Sequence, residues 1–218
     1  MGDVVAEIIP LGLAVALSPF PVIPAILLLF ASRPRAAGGA FLAGWVCGVT
    51  VGALVFVLLT EVIELADEPP TWASWTRIVL GWLLIAVGLR QVLSRSESSE
   101  TPKWMSSIDG LAPSGAMRLG IVLSLANPKV LLLAAAAGLA IGSAELSLGG
   151  DLGAAAAFIA IASVTVALPV VLFVVLGERV LGPLGHVRDW LERHNATVMA
   201  VVILVIGALL IVKGFRGL

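Results

Sequence analysis

Two hydrophobic stretches of this chain, each long enough to cross a lipid bilayer, are interrupted near their middle by proline. The first interruption reads Ser18-Pro19-Phe20-Pro21-Val22-Ile23-Pro24, and the second reads Asn127-Pro128-Lys129. A proline has no backbone N–H to give a helix, and its ring clashes with the preceding turn. In hydrocarbon each unsatisfied backbone group costs several kcal/mol, so such a break survives only where protein or a water-filled cavity covers it. Paired breaks in corresponding halves of a membrane chain point to a binding site near the bilayer midplane.

The composition requires a bilayer. Of 218 residues 60% are hydrophobic and only 12% charged, with a mean hydropathy of +1.10. A soluble domain of this length has too little interior to hide that much apolar surface. The net charge of -1 gives no basic footprint for nucleic acid. The single cysteine, Cys47, excludes an intramolecular disulfide and reads as a small buried hydrophobe. The start, Met1-Gly2-Asp3 with Glu7 close behind, lacks the positive charge of a signal peptide and is expected to belong to the mature chain.

Apolar runs of about twenty residues predict six spans, near 4–31, 37–60, 73–93, 118–142, 152–176 and 195–213. The expected fold is an all-α integral membrane protein, with helices 1 and 4 broken by proline. A basic turn containing Arg33 and Arg35 joins the first two spans, and an acidic one follows Glu61. The longest polar stretch, 94–117, opens with a flexible Ser- and Glu-rich run. It continues into a segment that places Trp104, Met105, Ile108 and Leu111 on one side, as an interfacial helix does. Glu178 to His194 reads as a polar loop. Arg33, Arg35, Arg90, Arg95, Lys103, Arg118, Arg179, Arg188 and Arg193 all flank one side, against Arg77, Lys213 and Arg216 on the other. The positive-inside rule then puts both termini outside a plasma (bacterial inner) membrane and the 94–117 linker in the cytoplasm.

The halves repeat. Superposing Pro19 on Pro128 brings Ser18 onto Asn127, both good helix N-caps. Val49-Thr50-Val51 then matches Val164-Thr165-Val166, and the Gly81 to Arg90 segment matches Gly207 to Arg216. Two units of three spans, 1–93 and 118–218, would be related by inversion because three is odd. An inverted-repeat transporter is the expected architecture.

The site follows from the breaks. Asn127 can accept a hydrogen bond from the next turn, and Pro128 loses nothing at the first helical position. The half-helix after them presents its positive end to the membrane middle, and Lys129 adds a full charge. Lysine at bilayer depth costs about 2.5–3.5 kcal/mol even on a lenient scale, so it faces the bundle or water. The complementary ligand is an anion. Ser18, Pro19, Pro21 and Pro24 would supply the facing half-helix; a kink without ligand contact is the alternative for them. Glycines from Gly44 to Gly52 read as close helix packing. No phosphate-binding loop, metal-ligand cluster or nucleophile–base pattern is present, so neither enzyme chemistry nor a metal or cofactor is expected.

Pro102-Lys103-Trp104-Met105, Ile108-Asp109, Pro113, Leu119-Gly120, Leu123-Ser124 and Asn127-Pro128-Lys129, with the opening Leu17-Ser18-Pro19, resemble the GAP family of actinobacteria. That family comprises glycopeptidolipid- and sulfolipid-addressing proteins and is grouped with the lysine-exporter superfamily. Members often carry another asparagine where this chain has Val130. The resemblance implies a six-span plasma-membrane protein that helps move glycolipids toward the cell envelope. The expectation is a transporter of an anionic lipid or glycolipid, its head group held at the midplane by Lys129 and two half-helix N-termini. An exporter of a small solute and a non-transporting assembly factor are the alternatives. Expected partners are membrane lipids or a glycolipid substrate, with lipid-synthesis or export machinery and a second copy of the chain as further candidates.

Overall fold

A computed structural model describes residues 2–64, 82, 85, 86, 110–144 and 146–216. Among the described residues all regular structure is helical. The first broken stretch forms α1 (Gly2–Ala16) and α2 (Pro19–Leu27), the latter running on as a 3-10 turn to Phe30, with a bend of 51° between the two pieces. The long α3 (Pro34–Glu64) follows. The second broken stretch forms α4 (Pro113–Leu125) and α5 (Pro128–Gly142), bent by 66°. It too is followed by a long helix, α6 (Leu148–Leu176), and then by a 3-10 turn and α7 (Leu181–Arg216). A broken helix followed by a straight one thus occurs twice. α3 and α6 carry apolar windows long enough to cross a membrane, and each bent pair qualifies as one further span.

Glycine sets how closely the first straight helix meets the second broken one. α3 packs chiefly against α4 and α5. Gly44 lies on the backbone of Met117, Gly48 on Ser124 and Ile121, and Gly52 on Ala134 and Leu125. From the other side, a Cβ on Gly120 would sit 2.7 Å from the Trp45 backbone nitrogen, and one on Gly138 would sit 2.7 Å from the Phe56 Cβ. Lipid tails are as apolar as leucine, so dispersion across such backbone-to-backbone seams holds helices together where the hydrophobic effect does not. The packing role expected for Gly44 to Gly52 is what the structure has.

Contacts also fix the register. Gly142, at the end of α5, meets Thr60 near the end of α3, and Gly38, near the start of α3, faces Val170 near the end of α6. α5 therefore runs parallel to α3, and α6 antiparallel to it. α1 runs parallel to α6, because Gly12 meets Ile161 and Ala16 meets Thr165 four residues further along both helices. α2 descends toward the Gly38 end, where Leu29 touches Gly38 and Phe30 touches Gly185. α2 and α5 accordingly leave the middle of the bundle in opposite directions, with their N-terminal ends turned toward each other in depth.

Several expectations are corrected. The second span begins at Pro34, and the fourth at Pro113 rather than 118. Each starts on a proline, whose missing N–H would be unsatisfied at a helix start in any case. The stretch from Glu178 to His194 is not a loop: after Gly177, at φ +67°, a single 3-10 turn leads into α7. Val180 and Leu184 are buried and Leu191 half-buried at helical spacing, while Arg193 and His194 face outward. That is an amphipathic helix, whose low mean hydropathy resembles that of a loop. Cys47 is exposed, not buried; it shares the outer face of α3 with Val51, Val55 and Leu58. In a bilayer the outside of a helix is apolar too, so hydrophobicity there does not report burial. The third span near 73–93, the run from 94 to 100 and the interfacial segment up to 109 lie outside the described residues.

The glycine seam yields a direct expectation. Gly120→Val should lower the thermal midpoint by about 5 °C, as overpacking typically costs about 1–3 kcal/mol. Gly39→Ala, with nothing within 4 Å of its added carbon, should leave it unchanged. Intrinsic-fluorescence unfolding in detergent compares the two, and equal midpoints would contradict the packing account.

Candidate functional site

At both breaks the chain must account for backbone groups that a continuous helix would have paired. At the first, Leu17 N–H donates to the Leu13 carbonyl (2.8 Å) and Ser18 N–H to Val15 (3.0 Å). Two of the first three positions of α2, Pro19 and Pro21, have no N–H at all. The prolines therefore remove donors that a buried helix start would otherwise leave orphaned. On the acceptor side, the Thr165 hydroxyl of α6 donates to the Ala16 carbonyl at 2.6 Å. A side chain of the second half thereby closes the break in the first. Thr165 is the centre of the Val164-Thr165-Val166 repeat match.

At the second break Asn127 caps α5, as its type and position suggested. Its Oδ1 accepts from the Lys129 N–H at 3.1 Å, and its carbonyl accepts from Leu131 N–H at 2.9 Å. Ser18, the counterpart of Asn127, sits at the N-cap position of α2 with extended backbone but makes no side-chain capping bond. Pro21 removes the N3 amide, one of the two that an N-cap side chain can accept from.

The buried polar side chains gather near these breaks. Ser18, Ser124, Lys129 and Ser163 are each less than a tenth exposed; of the buried polar residues among those described, only Thr60 lies toward an end of the bundle. The register puts them in one layer. Thr165, five residues before Val170, falls level with about Ala43 of α3, while Gly48 contacts Ser124 just before the second break. At 1.5 Å per residue Ala16 and Ser124, which precede the two breaks, are separated by about 8 Å in depth, on either side of Trp45. Ser124 returns its hydroxyl to the Gly120 and Ile121 carbonyls of its own helix. Trp45 Nε1 and Ser163 Oγ are buried without a hydrogen-bond partner.

The sequence-predicted residues divide into two groups. Lys129 is 8% exposed at the N-terminus of α5, with Asn127 half-buried beside it, while Pro128 is exposed and turns its ring away from the bundle. Ser18, Pro19, Pro21 and Pro24 are all buried in the packing of α2. Of the two half-helix starts, that of α5 carries the lysine and keeps more backbone N–H groups, since only one of its first three positions is proline. Trp45, Ser163 and Thr165 were not singled out as site residues; the signal available for them was a polar atom halfway along an otherwise apolar span.

A separate groove of about 340 Å³ lies between Phe30 and the first turns of α7, lined by Leu181, Gly185, His186, Arg188 and Asp189. Arg188 stands 6.0 Å from the Phe30 ring centroid, but it is paired with Asp189 at 2.6 Å and Glu192 at 3.6 Å. Its charge is thus balanced within its own helix. Among the described residues no cluster of histidine, cysteine or carboxylate side chains could hold a metal ion.

A family model described as Sap, sulfolipid-1-addressing protein, matches residues 8–216. No curated protein and no solved structure matches the chain.

The bond across the first break is testable alone. Thr165→Val removes the donor to Ala16 and should cost about 0.6–1.7 kcal/mol, the range of hydrogen bonds between membrane helices. Thr165→Ser should restore most of the loss. Unfolding midpoints in one detergent measure both, and a Thr165→Val protein as stable as wild type would show that the carbonyl finds another partner.

Proposed function

Because the chain belongs to the sulfolipid-1-addressing protein family, we propose that it moves an anionic lipid or glycolipid across the plasma membrane toward the cell envelope, with the head group bound in the mid-depth polar layer. The observation that carries this reading is Lys129: a lysine 8% exposed at the start of a half-helix in the middle of the bundle. Its charge adds to the positive end of the α5 dipole, and such an intramembrane cation is functional by default. A phosphate or sulfate ester is the complementary group. Lipid tails can stay in the bilayer while the head crosses, so a chain this small need not enclose its substrate.

The architecture proposed with it is two inverted three-helix repeats, the broken helix of each meeting the other at mid-depth. The recurrence of a bent pair followed by a long helix supports this. So does the Thr165 bond, which ties the second repeat to the break of the first. Rocking one repeat against the other would expose the layer to each side in turn. The basic residues Arg33, Arg35, Arg179 and Arg188 support a cytoplasmic position for the turns that carry them and outward-facing termini.

The test is the lipid retained through purification, identified by mass spectrometry for wild type and Lys129→Gln. Wild type should carry an anionic lipid above its share of the membrane, and the variant should lose about tenfold of that enrichment, equivalent to about 1.4 kcal/mol. Bulk lipid in membrane proportions on both proteins would contradict the reading and favour a small solute or an assembly role.

A further inference from the structure

We propose that Trp45 and Ser163 form a second subsite of the mid-depth layer, which takes a hydroxyl group of the lipid's head; this rests on the lipid-export reading above. Trp45 is fully buried and Ser163 is 5% exposed, yet the indole Nε1 and the Ser163 Oγ both lack a hydrogen-bond partner. Buried polar groups in folded proteins are paired as a rule, and each exception calls for an explanation. A serine inside a helix ordinarily returns its hydroxyl to a carbonyl one turn back, as Ser124 does here. Ser163 does not.

These two belong to one place, whereas the third unpartnered buried atom among the described residues, Asp151 Oδ1, lies in the first turn of α6. Gly38 of α3 faces Val170 of α6, and the helices run antiparallel. Seven residues on from Gly38 is Trp45, and seven back from Val170 is Ser163. Seven residues are two turns, so each side chain lies on the same stripe as the contact that sets the register, about 10 Å deeper. Trp45 and Ser163 therefore occupy the same level of the seam between the two long helices, one from each half of the chain. That level lies between the two breaks.

Their chemistry selects the ligand group. An indole N–H only donates, whereas a serine hydroxyl both donates and accepts. A hydroxyl accepts from the first and exchanges a bond with the second. A bare anion is a poor occupant, because α3 carries no charged residue between Arg35 and Glu61, and α6 none after Asp151. The α3–α6 seam thus recognises neutral hydroxyls, while Lys129 on α5 recognises charge. Together they read a head group that is both anionic and hydroxylated.

A matched pair of lipids separates these roles. Phosphatidylglycerol and phosphatidylpropanol share charge and carbon count, but only the first carries head-group hydroxyls. The full chain in phosphatidylcholine nanodiscs doped with one or the other is examined for retained lipid by native mass spectrometry. Wild type should prefer phosphatidylglycerol by about fivefold, the effect of about one hydrogen bond. Ser163→Ala, and separately Trp45→Phe, should bring the ratio to about one while keeping both anionic lipids above phosphatidylcholine. Lys129→Gln should lower both toward the phosphatidylcholine level, which reports on the lipid-export reading independently. Equal retention of the two lipids by wild type, or a preference unchanged in both seam variants, overturns the inference and leaves the export reading standing; retention of neither above phosphatidylcholine overturns both. Ser163→Ala should also match or exceed the wild-type thermal midpoint in phosphatidylcholine alone. A lowered midpoint would show the hydroxyl already bonded within the fold, and would overturn the subsite.

Discussion

The structure depends on how its two helix breaks satisfy backbone groups away from water. A kink in a soluble protein can borrow solvent, but one in hydrocarbon must find partners in protein. The first break does so by subtraction and by reach: Pro19 and Pro21 delete amides, and Thr165 from α6 supplies a donor to the Ala16 carbonyl. The second uses a cap, with Asn127 accepting from the Lys129 amide. One break is thus closed by a distant helix and the other by its own side chain. Only the second leaves a lysine at the helix start.

Close packing makes this arrangement possible. The glycines of α3 and Gly120 of α4 let two backbones nearly touch, which holds the second break against the middle of α3. With α1 laid along α5 and α6, the polar side chains near both breaks share one narrow layer. Above and below it the helices present apolar faces to one another and to the outside. The proposed head-group site lies in this layer, and the chain belongs to a family described as sulfolipid-1-addressing.

Much of this was legible in the sequence because prolines and glycines act locally. Pro19 and Pro128 fixed where the spans break, Asn127 announced its cap, and Gly44 to Gly52 announced a close approach. Faces were harder. Both sides of a membrane helix are apolar, so periodicity could not say that Cys47 faces out or that Trp45 faces in. Nor could it say that Ser163 lacks the back-bond that Ser124 makes, since that depends on the register of α3 against α6. The helix from Leu181 reads as a loop for a related reason: an amphipathic stretch with paired charges has the composition of one. Thr165 entered the repeat match, but its bond to Ala16 joins residues 149 positions apart, a tertiary fact that no local pattern carries.

The central claim is that the two breaks sit at nearly one depth in the middle of the bilayer. Spin labels on the exposed neighbours Leu17 and Ala126, introduced one at a time as cysteines in a Cys47→Ser background, measure it directly. Relative accessibility to oxygen and to a water-soluble nickel chelate reports depth in reconstituted vesicles. The account predicts that both labels lie near the bilayer centre, within about 10 Å of each other in depth, or roughly two helical turns. A label at either position that reads as interfacial would contradict it.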